Sequence, residues 1–466
     1  MVPRRARLPH LEPARRALAE GRYEVAFALL EDAAARTRPQ QVRAHYQLHL
    51  AAADALYGNE GLDHGLRALR AVAAADPDAV RWPLYRALHW EFRALQGASA
   101  HEVRHGVDGL GDDDPVAAYH AASALWRSGA SRTARRALAG IDERELPEYL
   151  RWRSAFLLGH VHADAGDWEA ATVAFVDAFR SAAASEREPV RIHLASALLE
   201  IGRAEEAHRL LDALDPEALT PPDVGWGYEL QGRAELELGN PRRALDHLDD
   251  ADRLAEDGIR RFAVAQARAQ ALARLGRHAE AAERIAEALP DAPESERAYA
   301  LHERAIALLE ADRIDEAQEV LDELLLDPDY PHRGEATADL AEIELRRGDL
   351  SEARQAAVRA LELGATGPAC LTLGTVAFEY FDFDEAVVWL ERAVSATSAG
   401  DPTWIAAHQL LADVYAQRGP SSAENLLIHA RKALSWAEGG SEWAGPLEAQ
   451  VELARGWLGG HERWLN

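Results

Sequence analysis

The fold of this chain is decided at residues 149–180, which read YLRWRSAFLLGHVHADAGDWEAATVAFVDAFR. Small and large apolar residues recur there every three or four positions on both sides of a break at Gly166 and Asp167. Such spacing predicts two amphipathic helices. A glycine that ends the first helix and an aspartate that caps the second are typical of a tight connection. The stretch is therefore predicted to form one helical hairpin.

The same break recurs along the whole chain at a nearly constant interval. The counterparts of Gly166 are Gly21, Gly58, Gly97, Gly129, Gly202, Gly239, Gly276, Asp312, Gly348, Phe381 and Gly419. These twelve anchor residues lie 32 to 39 positions apart, with a period near 36. Intervals of this size are typical of arrays of helical repeats. In such an array each hairpin is expected to contact only its neighbours.

Small and large residues recur at fixed distances from the anchors. The residue seven positions before an anchor is Gly or Ala in eleven of the twelve hairpins, and the exception is Trp90. The residue five positions after an anchor is Ala in nine of the twelve. Two small residues at these offsets allow the paired helices to approach closely. A large apolar residue nine positions after the anchor, as at Leu30, Phe175, Leu390 and Ile428, is expected to fill the space between neighbouring hairpins.

These residues resemble the tetratricopeptide repeat (TPR), whose 34-residue unit has a Leu-Gly step in its first helix and a small residue at the helix crossing. Leu158-Gly159 and Leu373-Gly374 match the Leu-Gly step, and residues 374–393 (GTVAFEYFDFDEAVVWLERA) are the best single copy. The resemblance covers nearly the whole chain. It implies an all-α fold, namely a right-handed α-solenoid of about twelve TPR-like helical hairpins plus a C-terminal capping helix.

Four segments are expected along the chain. They are a basic N-terminal arm at 1–8, TPR-like repeats at 9–115 that are degenerate at 58–111, a regular array at 116–440, and a capping helix at 441–466. Trp443, Trp457 and Trp464 are expected to cover the last hairpin, because a terminal repeat would otherwise expose an apolar face.

Charge and composition restrict the classes of partner. The net charge is −27, but residues 1–45 have nine arginines against five acidic residues, so the rest of the chain is strongly acidic. Such a surface is expected to repel nucleic acid and anionic membranes. The sequence has no long apolar segment, and its single cysteine, Cys370, lies in an apolar helical pattern. We therefore expect a cytoplasmic protein that binds neither nucleic acid nor membrane.

The sequence contains no recognisable catalytic motif. It has no G-x-S-x-G, phosphate-binding loop, dinucleotide fingerprint or H-E-x-x-H. The pairs His45/His49 and His101/His105 share a helix face, but two ligands do not complete a metal site. We therefore expect no enzyme activity, no cofactor and no metal.

The resemblance implies a binding groove lined by the first helices of successive hairpins. The family's groove positions correspond here to Tyr119, Trp126, Phe156, His160, Trp226, Arg233, Tyr299, His302 and Phe378. An aromatic track of this kind suits a peptide segment or a partner helix. The function expected is that of a non-enzymatic scaffold for protein–protein interaction. The alternative is a self-associating or regulatory module, for example a homodimer.

Overall fold

The computed structural model describes residue 8 and residues 11–110, 114–436 and 444–462. Within these ranges all regular structure is helical, and the all-α prediction is confirmed. The chain forms two compact units, residues 1–256 and residues 257–466, which are treated separately below. No feature of the repeat pattern marks this division, which falls inside the array expected at 116–440.

The first unit contains fourteen α-helices in its described residues. They are α1 (Leu11–Ala19), α2 (Tyr23–Arg36), α3 (Gln40–Ala55), α4 (Leu62–Ala75), α5 (Pro83–Leu95), α6 (Ala100–Val107), α7 (Pro115–Arg127), α8 (Ser131–Ala139), α9 (Glu148–Ala163), α10 (Trp168–Ser181), α11 (Arg187–Glu200), α12 (Ala204–Asp212), α13 (Pro221–Glu237) and α14 (Pro241–Leu254). Short 3-10 helices at Pro77–Arg81, Ala184–Glu186 and Pro216–Ala218 connect some of the hairpins.

The second unit contains eleven α-helices in its described residues. They are α15 (Gly258–Arg274), α16 (His278–Ala288), α17 (Glu294–Glu310), α18 (Ile314–Leu324), α19 (Arg333–Arg347), α20 (Leu350–Glu362), α21 (Thr366–Glu379), α22 (Phe383–Ala396), α23 (Pro402–Arg418), α24 (Ala423–Leu434) and α25 (Ala444–Glu462). The last of these packs on α24 through Leu447, Val451 and Ala454, and Trp457 lies partly buried against the same core. Trp443 and Trp464, also expected in this cap, lie outside the described residues.

All twelve anchor residues lie in the turn between the two helices of a hairpin, and all twelve have a left-handed backbone. Their φ angles range from 57° at Gly58 to 87° at Gly97. Ten are glycines, which adopt this conformation without a steric penalty. Asp312 and Phe381 adopt it at φ 58° and 61°. The described chain therefore contains the twelve TPR-like hairpins that the repeat predicts.

The small residues at the helix crossings are buried, as predicted. A Cβ atom at Gly159 would lie 2.5 Å from the Phe175 ring, and one at Gly374 would lie 2.6 Å from Leu390. The large residue therefore packs against the small residue of its own hairpin. Phe175 also contacts His193 of the next hairpin, with ring centroids 5.8 Å apart, so it fills the space between neighbouring hairpins as predicted. Ile428 does not follow the pattern and is 49% exposed, because the 3-10 helix at Pro420–Ser422 precedes α24 and shifts its register.

In the third hairpin, formed by α5 and α6, the small and the large residue at the helix crossing exchange places. Trp90 stands where other hairpins have Gly or Ala, and Gly106 stands where they have a large residue. A Cβ atom at Gly106 would lie 1.8 Å from the indole of Trp90. The total volume at the crossing is thus preserved by an exchange between the two helices. This exchange accounts for the departures from the repeat pattern at Trp90 and Gly106, within the degenerate segment 58–111.

The first hairpin makes a contact that a nearest-neighbour array does not contain. Helix α1 packs against α9, four hairpins further along, and one core extends from Ala14 to Val161. The Arg153 guanidinium on α9 donates to the Tyr23 hydroxyl and lies 3.4 Å from a Glu186 carboxylate oxygen. Burial lowers the pKa of Arg153 to about 10. The expectation that each hairpin contacts only its neighbours therefore fails here, because α1 folds back onto a distant repeat.

Candidate functional site

The groove expected from the family is accessible in only part of the first unit. The residue six positions before each anchor should face it. In hairpins two to four this residue is buried, at Ala52, Glu91 and Ser123. In hairpins five to seven it is partly exposed, as at His160 and Arg233. In the same unit α1 packs back onto α9, and the accessible stretch begins with Trp126 at the end of α7.

The buried end of this surface contains a polar network that superficially resembles a catalytic triad. His120 Nδ1 lies 2.7 Å from one Glu91 carboxylate oxygen, and the Ser123 hydroxyl donates to the other at 2.5 Å. The serine therefore bonds to the carboxylate and not to the imidazole, whereas nucleophilic catalysis requires a base beside the hydroxyl. All three side chains are at most 3% exposed. The network pairs both Glu91 carboxylate oxygens, leaves His120 Nε2 buried without a hydrogen-bond partner, and does not have the geometry of a nucleophile beside its base.

The accessible stretch begins with a continuous row of rings, which we call the aromatic ladder: Trp126, Phe156, His160, His193 and Trp226. Successive ring centroids are 5.1 Å apart for Trp126 and His160, 4.6 Å for His160 and His193, and 4.6 Å for His193 and Trp226. Phe156 lies 4.6 Å from His160 and 5.0 Å from His193. All five side chains are partly exposed. The ladder thus links the first helices of four successive hairpins, α7, α9, α11 and α13.

The repeat geometry places these rings side by side. Phe156 and His160 are four residues apart and share one face of α9. Beneath them Phe175 of α10 is 2% exposed, and it contacts Phe156, His160 and His193. Gly159 leaves the room in which the Phe175 ring sits. The close helix crossing therefore holds the ladder on a rigid base.

The ladder is flanked by polar groups at both ends. The Trp126 indole donates to Asp164 at 3.0 Å, and the Arg127 guanidinium lies 5.7 Å from the centroid of the same indole ring. At the other end, Arg233 pairs with Glu200 at 2.7 Å. Burial lowers the pKa of His160 to about 4, against the smaller opposing effect of Asp164. His160 is therefore neutral at pH 7, and its ring adds apolar surface instead of charge.

The structure brings together Trp126, Phe156, His160 and Trp226 of the residues predicted from the sequence, with Arg233 two helical turns beyond Trp226. His193 was missed. The prediction used the position ten residues before the anchor, which in this hairpin is Ile192, a residue that is 1% exposed. The recurrence of a ring on each first helix was the signal that could have identified His193.

The other predicted residues lie elsewhere. Tyr119 is buried in the first unit. In the second unit, His302 is also buried and bonds to the Tyr330 hydroxyl at 2.8 Å and to Asp339 at 2.7 Å. Tyr299 is 36% exposed and packs edge-on against Tyr330. Phe378 is partly buried against the core of the last hairpins. These four residues are not part of the ladder.

The histidine pairs singled out in the sequence have other surroundings. His45 stacks on Trp82 with ring centroids 4.3 Å apart. Burial lowers the pKa of its neighbour His49 to about 3. His101 and His105 are exposed. No group of three or more metal-ligating side chains occurs in the part of the chain that the structure describes.

Known proteins match this chain in structure only. No protein-family model matches the sequence. No curated protein matches it either. A chain of the APC/C hetero-tetramer Cut9-Hcn1 is 14% identical, with 96% of each chain covered and a TM-score of 0.42. Yeast Tom70 is 15% identical over 96% of this chain and 95% of its own, with a TM-score of 0.41. A tetratricopeptide repeat protein from Parabacteroides merdae is 16% identical over 60% of this chain and 98% of its own, with a TM-score of 0.41. Similarities of this size concern general architecture and carry no information on partners. The tetratricopeptide-like architecture itself is confirmed, with its twelve helical hairpins and left-handed turns.

None of the helices in the described ranges is long and apolar enough to cross a membrane.

Proposed function

We propose that this protein is a non-enzymatic scaffold that binds a peptide segment or a helix of another protein along the aromatic ladder. The observation that carries the proposal is the unbroken row of partly exposed rings on four successive first helices. Rings of this kind provide large contact areas with few rotatable bonds, and they dominate binding energy at protein interfaces.

The geometry sets the length of the ligand. Packed helices lie roughly 8–10 Å apart, so four successive first helices span roughly 30 Å. A helical ligand of that length has about 20 residues, and an extended ligand has about nine. We propose a ligand with several apolar side chains, because the ladder offers them aromatic rings along its whole length.

A displayed library of random 20-residue peptides provides the test. Peptides selected on the wild-type protein are measured again on Trp126→Ser and on Trp226→Ser. Each substitution should weaken binding about tenfold, because loss of a desolvated aromatic contact costs roughly 1–3 kcal/mol. Peptides that bind both variants as tightly as the wild type would contradict the proposal.

Val173→Ser is the matched control. Val173 is 64% exposed on α10, the second helix of the hairpin whose first helix carries Phe156 and His160. Its replacement removes a similar exposed apolar side chain from the other face of the hairpin. We expect unchanged binding. Measurement of mass in solution, with and without peptide, separates peptide binding from self-association.

A further inference from the structure

A second surface lies in the second unit, at the turn between α21 and α22. Residues 380–383 read YFDF and are called here the aromatic turn. Phe381 is 79% exposed and Tyr380 is 57% exposed. Single exposed apolar residues are common on protein surfaces, but two adjacent large rings at the tip of a tight turn are not required by the fold.

The backbone of this turn makes the choice of phenylalanine more unusual. Phe381 has φ 61° and occupies the anchor position that is glycine in ten of the twelve hairpins. A left-handed conformation is sterically unfavourable for a residue with a Cβ atom, and Asp, as at position 312, tolerates it better than a bulky side chain does. Phe381 thus has an unfavourable backbone and a ring that contributes little burial. A local rule broken without a gain in packing is typical of a functional position.

The base of the aromatic turn is held firmly. The Phe381 ring contacts Phe383, which packs on Phe378 with ring centroids 5.9 Å apart. The Asp382 carboxylate caps α22 by accepting from the Glu385 N–H at 3.0 Å. Arg418 of α23 donates to the Phe383 carbonyl at 2.8 Å. The backbone that carries Phe381 is therefore held in a fixed arrangement, which lowers the entropy lost on binding.

The charges around the rings indicate the kind of partner. Glu379, Asp382 and Asp384 are all exposed within one turn of the rings. Arg418 contacts Asp384 and lines a pocket together with Asp382, Asp384 and the rings of the aromatic turn. The excess of carboxylates opposes phosphates, whether of a lipid headgroup or of a nucleic acid. It favours a protein surface that carries arginine or lysine.

We propose that the aromatic turn is a second interaction site, at which Phe381 and Tyr380 enter an apolar pocket of another protein whose rim carries arginine or lysine side chains. The site is separate from the aromatic ladder and uses a different part of the repeat, the turn instead of the first helix. Apolar rings supply the affinity, and the acidic surround supplies orientation and speed of association.

Photo-crosslinking tests the proposal in the full-length protein. The probe is p-benzoylphenylalanine placed at position 381, with position 326 as the matched control. Leu326 is 81% exposed in the same unit, after the second helix of a hairpin. We expect irradiation in a lysate of the source cell to give one protein adduct from position 381 and none from position 326. The crosslinked peptide should map to an apolar pocket bordered by arginine or lysine.

Binding measurements with the purified adduct partner complete the test. Phe381→Gly should weaken binding at least tenfold without lowering the thermal midpoint, because glycine relieves the backbone. Glu379→Gln should slow association and reduce its salt dependence. Trp226→Ser should leave this binding unchanged, so failure here is distinguishable from failure of the ladder. The proposal is overturned by an adduct with a second copy of this chain, with lipid or with nucleic acid. It is also overturned if no adduct forms, or if Phe381→Gly binds like the wild type.

Discussion

The exchanged small and large residues of the third hairpin, Gly106 and Trp90, provide a direct test of how the repeats pack. Trp90→Ala should cost about 3 kcal/mol, at the lower end of the range for such truncations because the ring is only partly buried. Gly106→Leu should cost about 2 kcal/mol, since any Cβ atom there overlaps the indole. Together the two substitutions recreate the small-then-large order of the other hairpins. The double variant should therefore lose less than about 3 kcal/mol, where independent effects would sum to about 5.

Hydrogen exchange of peptides from α5 to α7 is the suitable assay, because a chain with two compact units is not expected to unfold in one step. Gly456→Leu in α25 is the control. A Cβ atom at Gly456 has no neighbour within 4 Å, so this variant should be at least as stable as the wild type. If the losses of unfolding free energy caused by Trp90→Ala and Gly106→Leu simply add in the double variant, the proposed exchange is wrong.

Three further predictions follow from buried groups. Cys370 is buried, which raises its pKa, so a disulfide reagent should label it only as the second unit unfolds. The pKa of His160 is about 4 in the folded protein and near 6.5 when unfolded, so the unfolded state binds the proton first and stability falls as the pH drops from 6.5 to 4. His160→Phe should therefore flatten the pH dependence of the urea midpoint in this window, and an unchanged slope would contradict it. Arg153→Met should destabilise the first unit by roughly 1.5–3 kcal/mol, because the partly buried carboxylate of Glu186 loses its cationic partner and retains the hydrogen bond from the Tyr23 hydroxyl. Addition of Glu186→Gln should restore part of this loss in the same denaturation assay.

Much of the fold could be predicted because its signals are local. The left-handed turn and the two small crossing residues lie within about twelve positions of each other. The turn recurs in all twelve hairpins, and the small residues before and after it recur in eleven and nine of them. The spacing alone identified Asp312 and Phe381 as turn residues, although neither is glycine, and both have the left-handed backbone. The packing of α1 against α9 could not be predicted in this way. The same first hairpin also joins Tyr23 of α2 to Arg153 of α9 across 130 positions, and no local pattern encodes either contact.

The candidate site was predicted less completely for a related reason. A family offset describes an average hairpin, and small shifts of a helix decide which side chain reaches the surface. The position ten residues before the anchor is buried at Tyr119, Ile192 and His302, yet it is partly exposed at Phe156. A folded-back helix covers part of the groove in the first unit. Accessibility therefore depends on contacts between distant repeats, which the offsets do not contain.

The two proposed surfaces differ in how binding is coupled to folding. The ladder rings pack on one another and on Phe175, so each ring also stabilises the contact between neighbouring hairpins. Replacement of Phe156 should therefore lower stability and affinity together. Phe381 is exposed and has a strained backbone, so its replacement by glycine should lower affinity while stability stays the same or rises. The thermal midpoint and the affinity should therefore fall together in variants of the aromatic ladder, which is part of the repeat packing. In variants of the aromatic turn the affinity should fall alone, because this surface was added to a turn at the expense of local stability.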